Sequence, residues 1–121
     1  MSLPLFFLLL ALACAPNPKD SASIEDPELV GAWITDALDE AALLHRQGDG
    51  PGALEAWGRA FRHFDNQLEP LMASEQVRTP IVELEYEFSL IRRELERQEE
   101  GEPGPLIEYF KNDLRGVVFV Q

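Results

Sequence analysis

A chain of 121 residues has room for one domain and one modest core, and a hydrophobic fraction of 45% excludes wholesale disorder. Its 22 acidic residues against 10 basic ones give a formal net charge of −12. That balance argues against nucleic acid or anionic lipid as a direct electrostatic partner and favours cations and cationic partners.

The first residues form an apolar run that ends at Ala13 and is too short to cross a hydrocarbon layer of roughly 30 Å. It reads as the core of a signal peptide covering residues 1–13. Cys14, the only cysteine in the chain, stands directly after it. Ala13-Cys14 at the end of such a run resembles the lipobox of bacterial lipoproteins, although Ala11-Leu12 reverses the usual large-then-small order and no Lys or Arg precedes the run. The resemblance implies that Cys14 becomes the diacylated, palmitate-type anchor of the mature chain. In that family an Ala after the cysteine, as Ala15 is here, goes with delivery to the outer membrane, facing the periplasm. Ala11-Leu12-Ala13 also satisfies the Ala-x-Ala pattern of ordinary secretory cleavage, which would leave a soluble protein with a free N-terminal cysteine. A lone cysteine fits an oxidising compartment in either case.

Residues 14–26, rich in Pro, Ser and Asp, predict an unpacked tether, and residues 27–121 the folded domain. Asp26-Pro27-Glu28 is a helix start: an N-cap, a proline at the first helical position and an acid in the first turn. The helix runs to about Gln47, with Val30, Ile34, Ala37, Ala41 and Leu44 on one face and Trp33 and Leu38 widening it. Three glycines and a proline in Gly48-Asp49-Gly50-Pro51-Gly52 predict a break and an antiparallel hairpin. The second helix, Ala53 to Leu71, repeats Leu54, Trp57, Phe61, Phe64, Leu68 and Leu71 at alternating spacings of 3 and 4, and this face is expected to carry most of the core. The hairpin register sets Ala37 and Ala41 opposite the stretch with Phe61 and Phe64. Gly48-Asp49, Ala53-Leu54, Ala56-Trp57 and Ala60 resemble the turn and second helix of a tetratricopeptide repeat. The chain holds no second copy of that pattern, which places the hairpin inside a bundle.

Pro70 and the residues from Ala73 to Gln76 are expected to close the second helix, and Thr79-Pro80 to open the third. Val82, Leu84, Tyr86, Phe88 and Leu90 alternate as in a strand. Val77, Ile81, Leu84, Phe88, Ile91 and Leu95 instead follow helical spacing, and that series continues into an Arg/Glu-rich stretch, so a helix is expected. Residues 99–104 read as a solvated loop. A short last helix opens at Pro105 with Leu106, Tyr109, Phe110 and Leu114 on one side and stops at Gly116. Val117 to Val120 then form an apolar, strand-prone tail that either caps the open end of the bundle or docks on a partner. The fold expected is all-α: an antiparallel bundle of three long helices plus a short C-terminal helix, with a TPR-like first hairpin.

No hydrolase, zincin, haem-attachment or phosphate-loop motif is present, so no catalytic residue and no cofactor are assigned. His45 and His63 fall roughly 12 Å apart along the hairpin and should not share a metal ion. His63 with Asp36, Glu40 and Glu87 is the one arrangement resembling a borderline-metal site; the alternative is an ordinary boundary histidine. The acids from Glu83 to Glu102 predict either a solvated face or a surface for a basic partner. The function expected is that of a lipid-anchored, periplasm-facing interaction or accessory module without catalysis, held to the membrane by its lipid and engaging a protein partner. The competing reading is a metal- or haem-handling periplasmic protein. Trp57, Ala60, Phe64 and Leu68-Glu69-Pro70 resemble a helix of imelysin-like iron-uptake bundles, whose His-x-x-Glu motif is missing here.

Overall fold

The computed structural model describes residues 26–73 and 78–119. The leader, Cys14, most of the tether, Val77 and Val120 lie outside the described residues.

Helix α1 spans Pro27–Arg46 and begins as the sequence predicts, with the Asp26 side chain accepting a hydrogen bond from the Glu28 N–H at 3.0 Å. It buries Val30, Gly31, Ile34, Ala37, Leu38 and Ala41. The turn that follows is shorter than predicted. Gly48 takes a positive φ of 83° that a side chain would resist. The chain is already helical at Gly50, because Asp49 caps it by accepting from the Gly52 N–H at 2.9 Å. Pro51 falls in the first turn, where its missing N–H costs nothing.

Helix α2 is Gly50–His63. It continues without interruption through a π-helical turn, Phe64–Leu68, into α3, Glu69–Ala73. The described helix therefore runs through Pro70 and ends at Ala73, the first residue of the segment expected to close it. In a regular α-helix the proline ring collides with the carbonyl four residues back. The wider turn directly before it, with the Glu69 N–H donating to the Phe64 carbonyl, carries the chain past the obstacle.

The buried face of this rod is also rotated from the predicted one. Ala53, Ala56, Ala60, Phe64, Leu68 and Met72 are buried, whereas Leu54, Trp57, Phe61 and Leu71 are only partly so. The cause is α1: it packs along α2, with Arg59 paired to Glu40 at 2.6 Å, and the alanines of both helices, Ala37, Ala41, Ala53, Ala56 and Ala60, are buried. Small residues on paired helices permit close packing, and Trp57 and Phe61 lie on the flank.

Helix α4 spans Arg78–Glu96, which excludes the strand reading of 82–90. Ile81, Leu84, Phe88, Ile91 and Leu95 are buried, while Val82 and Tyr86, which alternation would have buried, are 55% and 63% exposed. A single 3-10 turn, Gln98–Glu100, leads into α5, Pro103–Phe119. This last helix is longer than expected. It starts ahead of Pro105 and runs through Gly116, because Ile107, Phe110, Leu114 and Val118 keep helical spacing across the glycine. Tyr109, assigned to the inner face from sequence, is 61% exposed. The tail forms no strand as far as Phe119. Val118 is buried, and a Cβ placed on Gly31 of α1 would lie 3.5 Å from it.

Cross-helix contacts fix the arrangement. Phe88 of α4 meets Phe110 of α5 at 4.6 Å between ring centroids, Lys111 of α5 reaches Asp39 of α1 at 3.0 Å, and the Trp57 indole N–H of α2 donates to the Phe88 carbonyl at 2.9 Å. The helices form a ring α1–α2/α3–α4–α5 with antiparallel neighbours, an all-α bundle closed around one core. At the end opposite the tether, the His45 Nε2–H donates to the Gln98 carbonyl at 2.6 Å, tying the two turns together. No helix among the described residues is long and apolar enough to cross a membrane.

Candidate functional site

The aromatics displaced from the core build a groove on the surface. Along α2 and its continuation, Trp57, Phe61, Asp65 and Glu69 recur every four residues and so lie on one stripe. Along α4, Glu85, Ser89, Arg92 and Glu96 form the facing edge. Between them runs a groove of about 400 Å³, lined by Trp57, Phe61, Glu85, Phe88, Ser89, Arg92, Arg93 and Glu96. Its floor is an aromatic ladder. Trp57 and Phe61 stack nearly parallel at 5.3 Å, and Phe88 meets both edge-on at 6.0 and 5.4 Å.

The two ends of the groove differ in charge. At one end the Arg92 guanidinium sits 5.2 Å from the Trp57 ring centroid and pairs with Glu96 at 3.0 Å. At the other end Asp65, Glu69 and Glu85 bring one carboxylate oxygen each to within 4.8 Å of one another. Partial burial, the Glu85 charge and contacts with Asp65 hold the Glu69 carboxyl above its usual range. No ion pair among the described residues reaches this trio.

The metal candidates read from the sequence are not drawn together in the described residues. The His63 Nδ1–H donates to Gln67 Oε1 at 2.6 Å and its ring packs on Trp33 at 5.3 Å. Glu40 pairs with Arg59, Glu87 turns toward Asp113 of α5, and Asp36 is exposed on α1. Read from the sequence, Asp65 has no role and Glu69 enters only within Leu68-Glu69-Pro70. The signal is the i, i+4 stripe from Trp57 to Glu69, which an assignment of Trp57 and Phe61 to the core hides.

Glu87 is the most perturbed carboxyl among the described residues. Burial, then a hydrogen bond to Asp113, then the charges of Asp113 and Glu83 push it up to about 8. Its Oε1 is buried without a hydrogen-bond partner. Two carboxylates offer no donor to each other, and a proton on Glu87 supplies one. A raised pKa places the stabilisation below the ordinary carboxyl range and removes it as pH climbs through about 8. Wild-type stability is therefore expected to fall between about pH 5 and about pH 9, by about 1 kcal/mol after allowance for solvent screening. Glu87→Gln, which keeps a donor toward Asp113, should flatten most of that slope, leaving the smaller part that Glu69 contributes in the same direction. Melting temperatures of both proteins across the range check this. Parallel curves would show that Glu87 is ionised throughout.

Comparison with protein-family models found no match to the chain, and comparisons with curated proteins and with solved structures found none either.

Proposed function

We propose that the chain is a bacterial lipoprotein: a helical bundle tethered to the periplasmic side of the outer membrane through acylated Cys14, acting without catalysis as an interaction or accessory module. The observation that carries this reading is the position of Cys14, the sole cysteine, at the end of an apolar run too short to span a bilayer. The folded domain supports it. An aromatic groove with half-buried Trp57 and Phe61 in its floor is the kind of surface that binds another chain rather than transforms a small molecule.

The tether enters the bundle at a defined end. Residues 14–26 reach at most about 45 Å when fully extended. They join the bundle at the start of α1, the same end at which the Asp65, Glu69 and Glu85 carboxylates gather. The acidic end of the groove therefore lies nearer the start of α1 than the Arg92 end does.

Cys14→Ser is expected to abolish membrane association, leaving the chain in the soluble fraction or unprocessed. Intact-mass measurement of the wild-type chain should show an N-terminus at Cys14 with added acyl mass. An unmodified mature chain, or cleavage elsewhere, would overturn the lipoprotein reading. The metal- or haem-handling alternative is weaker, because two of its four proposed ligands are engaged elsewhere: His63 by Gln67 and Glu40 by Arg59.

A further inference from the structure

We infer that the groove between α2 and α4 is a docking face for a segment of a partner protein that carries a bulky aliphatic side chain and, one to two helical turns away, a lysine or arginine. The inference rests on the interaction-module reading and names the partner's chemistry. The apolar requirement comes from Trp57 and Phe61, whose stacked rings remain partly open to solvent above a fully buried Phe88. Trp57 cannot swing away to refill the core, since its indole N–H is held by the Phe88 carbonyl. The surface is therefore preformed, and binding need not pay to order it.

The cationic requirement comes from charge complementarity along the same stripe. Asp65 lies one turn beyond Phe61 and Glu69 two turns, about 6 and 12 Å along the axis. These acids and Glu85 crowd together without an ion pair among the described residues. Of the two arginines at the other end, Arg92 and Arg93, the first is already engaged by Glu96 and the Trp57 ring. An ammonium or guanidinium brought in by a partner relieves the repulsion between the three carboxylates, while its neighbouring aliphatic group covers the aromatic floor. A segment with an acid in place of the cation would meet like charge at that end, so the groove also rejects.

The test uses the full chain held in a zwitterionic detergent and, as probe, an amidated leucine–lysine amphipathic helix about four turns long, with a leucine–glutamate helix as its counterpart. Calorimetric titration should show saturable binding of the lysine peptide and none of the glutamate peptide. The triple variant Asp65→Asn/Glu69→Gln/Glu85→Gln should bind the lysine peptide at least tenfold more weakly. In a Trp33→Phe background the remaining Trp57 emission should shift to the blue on binding. Equal binding by the wild-type and triple-variant chains, or an unmoved Trp57 signal at saturation, would overturn the proposal. So would dimerisation of the chain that Phe61→Glu abolishes, which would assign the groove to a second copy. So too would binding that appears only after Lys19→Gln, which would assign it to the tether. The titration is read whatever the state of Cys14, so a failed groove leaves the acylation result standing and an unacylated chain leaves the groove testable.

Discussion

Phe88→Ala is expected to lower the unfolding free energy by about 3–5 kcal/mol, a large part of the 5–15 kcal/mol typical of a whole domain. Phe88 is fully buried and its ring meets four others: Trp57, Phe61, Phe64 and Phe110. It links α2, the π-helical turn and α5, so truncation opens a cavity where three elements converge and none of them can collapse into it alone. Tyr86→Ala, two residues earlier but 63% exposed, should change stability by less than about 0.5 kcal/mol. Trp57→Ala removes a half-buried ring and one hydrogen bond, and it should cost less than Phe88→Ala. Urea denaturation of the three variants gives the ranking. If Trp57→Ala proved the most damaging, the buried face of α2 would be the aromatic one and the groove would not exist.

That ranking marks where the sequence could be read and where it could not. The α4 face from Ile81 to Leu95 was legible because one spacing held for four turns while the rival alternation failed at the Arg/Glu stretch. The Asp26 cap was legible because it is local chemistry. On α2, by contrast, two apolar stripes compete: Leu54–Trp57–Phe61–Leu71 and Ala53–Ala56–Ala60. Periodicity weighs them by size and selects the large one. Packing selects the small one, since α1 packs along α2 and buries its own alanines, Ala37 and Ala41. The candidate site was missed for the same reason. Once the aromatics are assigned to the core, Asp65 and Glu69 look like ordinary surface acids. At Gly116, and again at Pro70, a residue that usually ends a helix does not do so, because tertiary contacts on both sides continue the helical spacing.

Gly101→Ala should be the most damaging single-methyl change in the domain, and the reason lies in the connection between α4 and α5. The backbone at Gly101 is extended, with φ of −83° and ψ of 151°, a conformation that any residue adopts. Conformational freedom is therefore not what selects glycine here. The constraint is a close approach: a Cβ at Gly101 would run into the backbone carbonyl of Glu94, and a backbone group of a packed helix cannot step aside. The rest of the turn is fastened to the same residue. The Glu94 carboxylate accepts from the Glu102 N–H at 3.0 Å and pairs with Arg97 at 3.2 Å, and these contacts hold its carboxyl below the usual range. An added methyl must lift residues 100–102 away from α4, breaking the Glu102 contact and straining the His45–Gln98 tie at the same end. Overpacking of this kind costs about 1–3 kcal/mol or more, which for a domain of this size is a fall in Tm of about 4–8 °C for each kcal/mol. Gly104→Ala is the control. A Cβ there meets nothing within 4 Å, and in the first turn of α5 it should leave stability unchanged or raise it by about 0.4–1 kcal/mol through the unfolded chain. Equal melting temperatures for the two variants would mean that the turn stands clear of α4. A large loss confined to Gly101→Ala would establish that α5 is set in place by one carbonyl of α4 passing where only glycine leaves room.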